Sequence, residues 1–69
     1  MIVKTKLKKV NTKLKKKREK TGLTQVQVAN KAGISERYYQ QIEAGTSNPT
    51  VDKAKLIAKA LNSSVEELF

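Results

Sequence analysis

Four polar side chains between positions 36 and 41 have the types and the spacing that recognition of nucleobases requires. They are Glu36, Arg37, Gln40 and Gln41. In a helix that turns by about 100° per residue, this spacing places all of them on one face. Arginine can donate two hydrogen bonds to guanine, glutamine can pair with adenine, and glutamate can accept from cytosine. Because many polar helix faces are only solvated, the surrounding elements must decide between these two interpretations.

The polar stripe follows a turn between two short predicted helices. Thr24 and Gln27 have the T-x-x-Q spacing of a capping box, which opens the first of these helices. Gly33 ends that helix, and Ser35 caps the next one, which runs to about Ala44. Two short helices joined by a turn that contains glycine are typical of a helix-turn-helix. This placement favours base recognition over an ordinary solvated face.

Three further helices are predicted around this pair. Each begins at a residue whose side chain can cap a helix, and apolar residues recur in the fourth at helical spacing. Their predicted bounds are Asn11 or Thr12 to about Lys20, Thr50 to about Leu61, and Ser64 to the end. We therefore predict an all-α fold of five helices over residues 11–69, preceded by a basic arm of uncertain structure at 1–10.

The charge of the chain is concentrated at its N-terminus. The 69 residues include 15 Lys and Arg against 6 Asp and Glu, a formal net charge of +9. Residues 1–20 contain ten of the basic residues and one acid, whereas residues 21–69 contain five of each. The cationic part would add affinity and salt dependence to binding of a polyanion, but little base discrimination. The arm could bind DNA, remain a solvated tail or pack against a second chain.

The composition also excludes several classes of function. The chain has no cysteine and no histidine, so a cysteine nucleophile, a histidine general base and the commonest zinc ligands are absent. It has no glycine-rich phosphate loop and no apolar run that resembles a signal peptide or a membrane span. We expect a cytoplasmic protein that is not an enzyme and has no metal, cofactor, membrane partner or small-molecule effector.

From Leu14 to Phe69 the sequence resembles the Cro and phage-repressor type of helix-turn-helix domain. Bacterial regulators of the xenobiotic-response-element family share this domain. All the matching features occur in the family's order and at its spacing. They are Arg18, the run from Gly22 to Gln25, Val28-Ala29, the turn from Gly33 to Ser35, Ile42-Glu43, Gly45, Pro49, Ile57-Ala58 and Leu61.

The resemblance implies a lambda-repressor-like domain of five helices whose third helix enters the DNA major groove. It implies base contacts by Glu36, Arg37 and Gln41, with Gln40 beside them, and an ion pair between Arg18 and Glu43. The residues that it places at the DNA backbone are Gln25, Ser35, Tyr38, Thr46, Ser47 and Asn48. The implied function is sequence-specific binding of double-stranded DNA by a transcriptional repressor, as a homodimer on paired half-sites. The alternative is a cationic adaptor that binds membrane, RNA or an acidic protein through residues 1–20.

Three residues depart from the family's pattern. Lys17 occupies a position that is usually apolar, so the first helix is expected to pack less tightly, and Lys55 replaces a frequent Leu in the fourth helix. Lys55 could cover apolar surface with its stem while its amine reaches water. Tyr39 replaces a usual Ile or Val on the buried side of the third helix. If Tyr39 is buried, its hydroxyl needs a hydrogen-bond partner inside the domain.

Overall fold

The computed structural model describes residues 10–69, and this part of the chain contains five α-helices. They are α1 (Thr12–Thr21), α2 (Gln25–Ala32), α3 (Glu36–Ala44), α4 (Val51–Ala60) and α5 (Val65–Leu68). This order confirms the prediction of an all-α fold. Of the predicted arm at 1–10, only Val10 belongs to the described residues, and the rest of the arm lies outside them.

Every helix begins at a side chain that caps its first turn. In each case the capping oxygen accepts a hydrogen bond from the backbone N–H three residues further on, which satisfies a donor that the helix itself leaves free. The caps of α1 to α5 are Asn11, Thr24, Ser35, Thr50 and Ser64. In α2 the side chain of Gln27 also accepts from the backbone N–H of Thr24, which completes the predicted capping box.

Gly33 forms the turn between α2 and α3. Its backbone has a φ of 74°, a left-handed conformation that glycine adopts without the steric cost of a Cβ atom. The N–H of the next residue, Ile34, then bonds to the carbonyl of Ala29 at 3.0 Å. Ile34 is half-buried against the hydrophobic core. The turn therefore lets α3 begin a few residues after α2 ends, as a helix-turn-helix requires.

The hydrophobic core lies between α2, α3 and α4, and α1 and α5 close it from the other side. Its buried side chains are Leu14, Val28, Ala29, Ala32, Tyr39, Ile42, Ile57, Ala58, Leu61 and Leu68. Leu14 is the one fully buried side chain of α1, and Lys17 on the same helix is half-buried. Lys55 is exposed on α4. None of the helices in the described region is long and apolar enough to span a membrane.

Asn11 joins three helices at the start of α1. Its side-chain oxygen caps α1, while its amide nitrogen donates to the carbonyl of Leu68 at the end of α5, at 2.9 Å. Its backbone N–H donates to the carbonyl of Glu43 near the end of α3, also at 2.9 Å. Asn11 thereby fixes where α1 enters the domain relative to the C-terminal ends of α3 and α5.

Candidate nucleic-acid interface

The outward side of α3 carries the predicted base-reading residues together. Glu36, Arg37 and Gln40 are exposed and Gln41 is half-buried. Together with Ala44 and Thr46 they line a shallow concavity, whose residues are Glu36, Arg37, Gln40, Gln41, Ala44 and Thr46. We call the first four residues of this set the reading face. The opposite side of α3 is buried through Tyr39 and Ile42, so the core fixes which face points outward.

The side chains of the reading face differ in how they are held. The amide nitrogen of Gln40 donates to Oε2 of Glu36 at 3.1 Å, across one helical turn. Within residues 10–69 the guanidinium of Arg37 makes no hydrogen bond or ion pair, so its full fork of donors faces solvent. Glu36 is the first residue of α3, where a negative charge is favoured by the helix dipole.

The predicted backbone-contacting residues lie at the start of α2, at the start of α3 and within it, and in the loop between α3 and α4. Ser35 uses its side-chain oxygen to cap α3, and Tyr38 is half-buried against the core. Thr46 donates from its hydroxyl to the carbonyl of Gln41 at 3.2 Å. Ser47 and Asn48 lie in the loop between α3 and α4, beside the start of α1. Gln25, the first residue of α2, instead directs its amide nitrogen into the domain.

Glu43 lies at the centre of a buried polar network behind the reading face. Its side chain is buried, with the residue only 5% exposed. Its carboxylate accepts hydrogen bonds from three side chains, one each on α1, α2 and α3. Arg18 Nε on α1 lies 2.6 Å from Oε2, and the Tyr39 hydroxyl on α3 donates to the same oxygen at 2.6 Å. Gln25 Nε2 on α2 donates to Oε1 at 3.0 Å. We call these four residues the Glu43 network.

The Glu43 network contains one contact that the resemblance implied and two that the sequence interpretation missed. The ion pair between Arg18 and Glu43 is present in the structure. The hydroxyl of Tyr39 finds its required partner in Glu43, which is four residues later on the same helix and thus one turn away. That spacing was visible in the sequence. The bond from Gln25 was not, because it joins residues 18 positions apart.

The network shifts the pKa of each ionisable member. Burial acts to raise the pKa of Glu43, but hydrogen bonds from Arg18, Tyr39 and Gln25 outweigh it and hold that pKa below its ordinary value. Burial, followed by the bond to the Glu43 carboxylate, raises the pKa of Tyr39 well above its ordinary range. The same carboxylate raises the pKa of Arg18. In the described part of the chain, every buried side-chain polar atom has a hydrogen-bond partner.

Acid is expected to destabilise the domain through Glu43. Because the pKa of Glu43 is lowered by folding, its carboxylate stabilises the folded state above the ordinary glutamate value of 4.5, and this stabilisation is lost as the pH falls through the folded pKa. Urea unfolding of the wild type and of Glu43→Gln, from pH 7 to pH 3, measures this directly. The stability difference between the two proteins should shrink as the pH falls below 4.5. A difference that is constant across this range would contradict the assignment.

Comparison with known proteins places this geometry in a family. A helix-turn-helix family model matches residues 14–68, which include all five helices apart from the first two residues of α1. The chain belongs to this helix-turn-helix family. The match confirms the resemblance to the Cro and phage-repressor type of domain, and it places the helix-turn-helix pair within the matched region.

Three relatives of this helix-turn-helix domain illustrate its range. An HTH-type transcriptional regulator of Archaeoglobus fulgidus is 33% identical over 60 residues, which cover 87% of this chain and 86% of the relative. RstR, the transcriptional repressor of cryptic phage CTXphi in Vibrio cholerae, is 37% identical over 60 residues, covering 87% of this chain and 54% of RstR. An HTH-type regulator of Mycobacterium tuberculosis is 36% identical over 56 residues, which cover 81% of this chain and 40% of that protein.

The fold also matches a solved helix-turn-helix structure. The restriction-modification controller protein C.AhdI from Aeromonas hydrophila superimposes with a TM-score of 0.84 and 29% sequence identity. The alignment covers 94% of this chain and 98% of C.AhdI. The arrangement of all five helices is therefore shared with C.AhdI.

Among residues 10–69, no group of acidic side chains is arranged to hold a metal ion.

Proposed function

We propose that this helix-turn-helix chain is a sequence-specific DNA-binding repressor of transcription, with α3 inserted in the major groove. The observation that carries the proposal is the reading face. Its polar side chains stand together on the outward side of the second helix of a helix-turn-helix, while Tyr39 and Ile42 anchor the other side in the core. A recognition helix needs this combination, because base contacts require a rigid support.

The chemistry of the reading face favours particular bases. The guanidinium of Arg37, which has no partner among residues 10–69, can donate to both O6 and N7 of guanine, and Glu36 can accept from N4 of cytosine. Gln41 can pair with N6 and N7 of adenine through its amide. Gln40 already uses one N–H on Glu36, so its remaining N–H and its carbonyl oxygen are available to a neighbouring base.

The backbone contacts would hold α3 in register on the duplex. We propose that Gln25 and Ser35 contribute at the starts of α2 and α3, and that Tyr38 and the loop from Thr46 to Asn48 lie along phosphates. Exposed lysines of α1 add attraction that is independent of sequence. Each phosphate that such a lysine neutralises should steepen the log–log salt dependence of binding by roughly 0.9.

We propose a homodimer as the DNA-bound form. A two-fold symmetric protein reads two half-sites about one helical turn apart, so the two reading faces would enter successive major grooves on one side of the duplex. A regulator of this kind binds DNA inside the cell and so would act in the cytoplasm. We propose no catalytic role and no cofactor for the chain.

Selection of bound sequences from a pool of random duplexes tests this function. We expect enrichment of a palindromic sequence at two salt concentrations, with a lower yield but the same sequence at the higher salt. A palindrome would support base reading and dimeric binding together. Absence of any enriched sequence at both salt concentrations would contradict the proposed function. Enrichment of a single, non-palindromic site would retain base reading and contradict the homodimer.

A further inference from the structure

The buried carboxylate of Glu43 sets the orientation of the Gln25 side-chain amide. Gln25 is the first residue of α2 and is half-buried, and its Nε2 lies 3.0 Å from Oε1 of Glu43. An ionised carboxylate accepts hydrogen bonds but cannot donate them. Rotating the amide by 180° would therefore place the carbonyl oxygen of Gln25 against an anionic oxygen. The carboxylate of Glu43 thus permits only one of the two amide orientations.

The orientation of the Glu43 carboxylate is itself set by Tyr39 and Arg18. Both the Tyr39 hydroxyl and Arg18 Nε lie 2.6 Å from Oε2, and Arg18 Nη2 lies 3.4 Å from Oε1. Tyr39 is fully buried, so its hydroxyl has no water to bond in place of Glu43. With Oε2 occupied by two donors, Oε1 is the oxygen left to face Gln25. Tyr39 therefore acts on Gln25 through one shared carboxylate.

We propose that Tyr39 and Glu43 are positioning residues for a DNA-backbone contact made by Gln25. This inference rests on the proposed function, in which the start of α2 approaches a phosphate. The network holds one N–H of the Gln25 amide on Glu43, which leaves the second N–H for a phosphate oxygen. The backbone N–H groups of the first turn of α2 favour an anion at the same place.

The Glu43 network also connects the proposed phosphate contact of Gln25 with the base contacts of the reading face. Tyr39 and Glu43 lie on α3, the helix that carries the reading face, whereas Gln25 lies on α2. A phosphate held by Gln25 is therefore held at a fixed position relative to α3. Because phosphate contacts set the register in which base-reading side chains meet the bases, this coupling would align the reading face with the groove.

A double-mutant cycle on DNA affinity tests the inference. Gln25→Ala, Tyr39→Phe and the double variant are titrated with a duplex of random sequence, which reports phosphate contacts alone. We expect Gln25→Ala to weaken binding about two- to tenfold, the range of one net hydrogen bond, and Tyr39→Phe to weaken it in the same direction. The double variant should bind no more weakly than Gln25→Ala, since both changes remove the same contact.

Ser64→Ala is the matched control for lost stability. It removes the cap of α5, far along the chain from the Glu43 network, and should lower the midpoint of thermal unfolding without changing the affinity of the folded protein. All titrations are made at a temperature at which thermal unfolding shows each variant to be folded. A purely structural role for Tyr39 would then leave its DNA affinity at the wild-type value.

Three results would overturn the inference. Gln25→Ala could bind the random duplex as tightly as the wild type, Tyr39→Phe could bind as tightly as the wild type, or the two effects could add. None of these results depends on sequence selectivity. Failure of the wild type to enrich any sequence would contradict the proposed function and would leave the outcome of this cycle unaffected, so the two failures are distinguishable.

Discussion

Replacing Arg37 with alanine should weaken binding to the selected duplex by about 1–3 kcal/mol and relax the preference at one base pair of each half-site. The expectation follows from the free guanidinium of Arg37, which has no partner within residues 10–69 and stands on the exposed side of α3. Binding constants for a set of duplexes, each with one base pair changed, give the measurement. The penalty for changing the guanine should disappear in the variant, while the other penalties remain.

Two further variants separate base reading from simple charge. Arg37→Lys keeps the positive charge but loses the planar fork, so it should lose most of the preference for guanine. Lys31→Ala removes a charge from an exposed position near the end of α2 and should change all affinities by a similar, small factor. Equal weakening of every duplex by Arg37→Ala would contradict direct base reading by Arg37.

Replacing Glu43 with alanine should cost about 3–5 kcal/mol of folding stability, the typical cost of removing one partner from a buried ion pair. The guanidinium of Arg18 would remain among buried groups without its counter-charge, and the hydroxyl of Tyr39 would lose its acceptor. A domain of this size is expected to have only a few kcal/mol more than that in total. Urea unfolding followed by circular dichroism should therefore show an unfolding midpoint at a much lower urea concentration than in the wild type.

Glu43→Gln and Glu19→Ala are the controls for this loss. The glutamine keeps an oxygen that can accept from Arg18 and Tyr39, so its loss of stability should be clearly smaller than that of the alanine variant. Glu19 is an exposed acid on α1 and its removal should change stability by no more than about 0.5 kcal/mol. A Glu43→Ala variant as stable as Glu19→Ala would show that the network does not stabilise the fold.

The helix boundaries could be predicted from the sequence because capping is a local interaction. A cap joins a side chain to a backbone N–H three residues away, and the sequence displays that spacing directly. All five observed caps, from Asn11 to Ser64, are residues to which the sequence assigned this role. At the first helix the sequence left Asn11 and Thr12 as alternatives, and the structure selects Asn11.

Contacts between distant parts of the chain could not be predicted in the same way. The bond from Asn11 to the carbonyl of Leu68 spans 57 positions, and the bond from Gln25 to Glu43 spans 18. These contacts exist only after the helices pack, so no local spacing reveals them. The partner of the Tyr39 hydroxyl is a different case, because Glu43 lies one turn away on the same helix and that spacing is visible in the sequence.

The distribution of charge acquires a clearer meaning from the structure. The reading face lies in the half of the chain whose formal charges balance, and it carries one acid and one base. The excess positive charge belongs to the arm and α1. On this account, specificity and attraction to DNA come from different parts of the chain, and each part can be altered without the other.

The ratio of the dissociation constants for a random duplex and for the selected duplex tests the central claim most directly. It is measured for the wild type, for a chain that lacks residues 1–9 of the arm, and for a variant with alanine at Glu36, Arg37, Gln40 and Gln41. Deleting the arm should weaken both complexes and preserve most of the ratio, whereas the alanine variant should remain folded with a ratio near one. A ratio that survives in the alanine variant and is lost with the arm would contradict the account and favour a cationic adaptor.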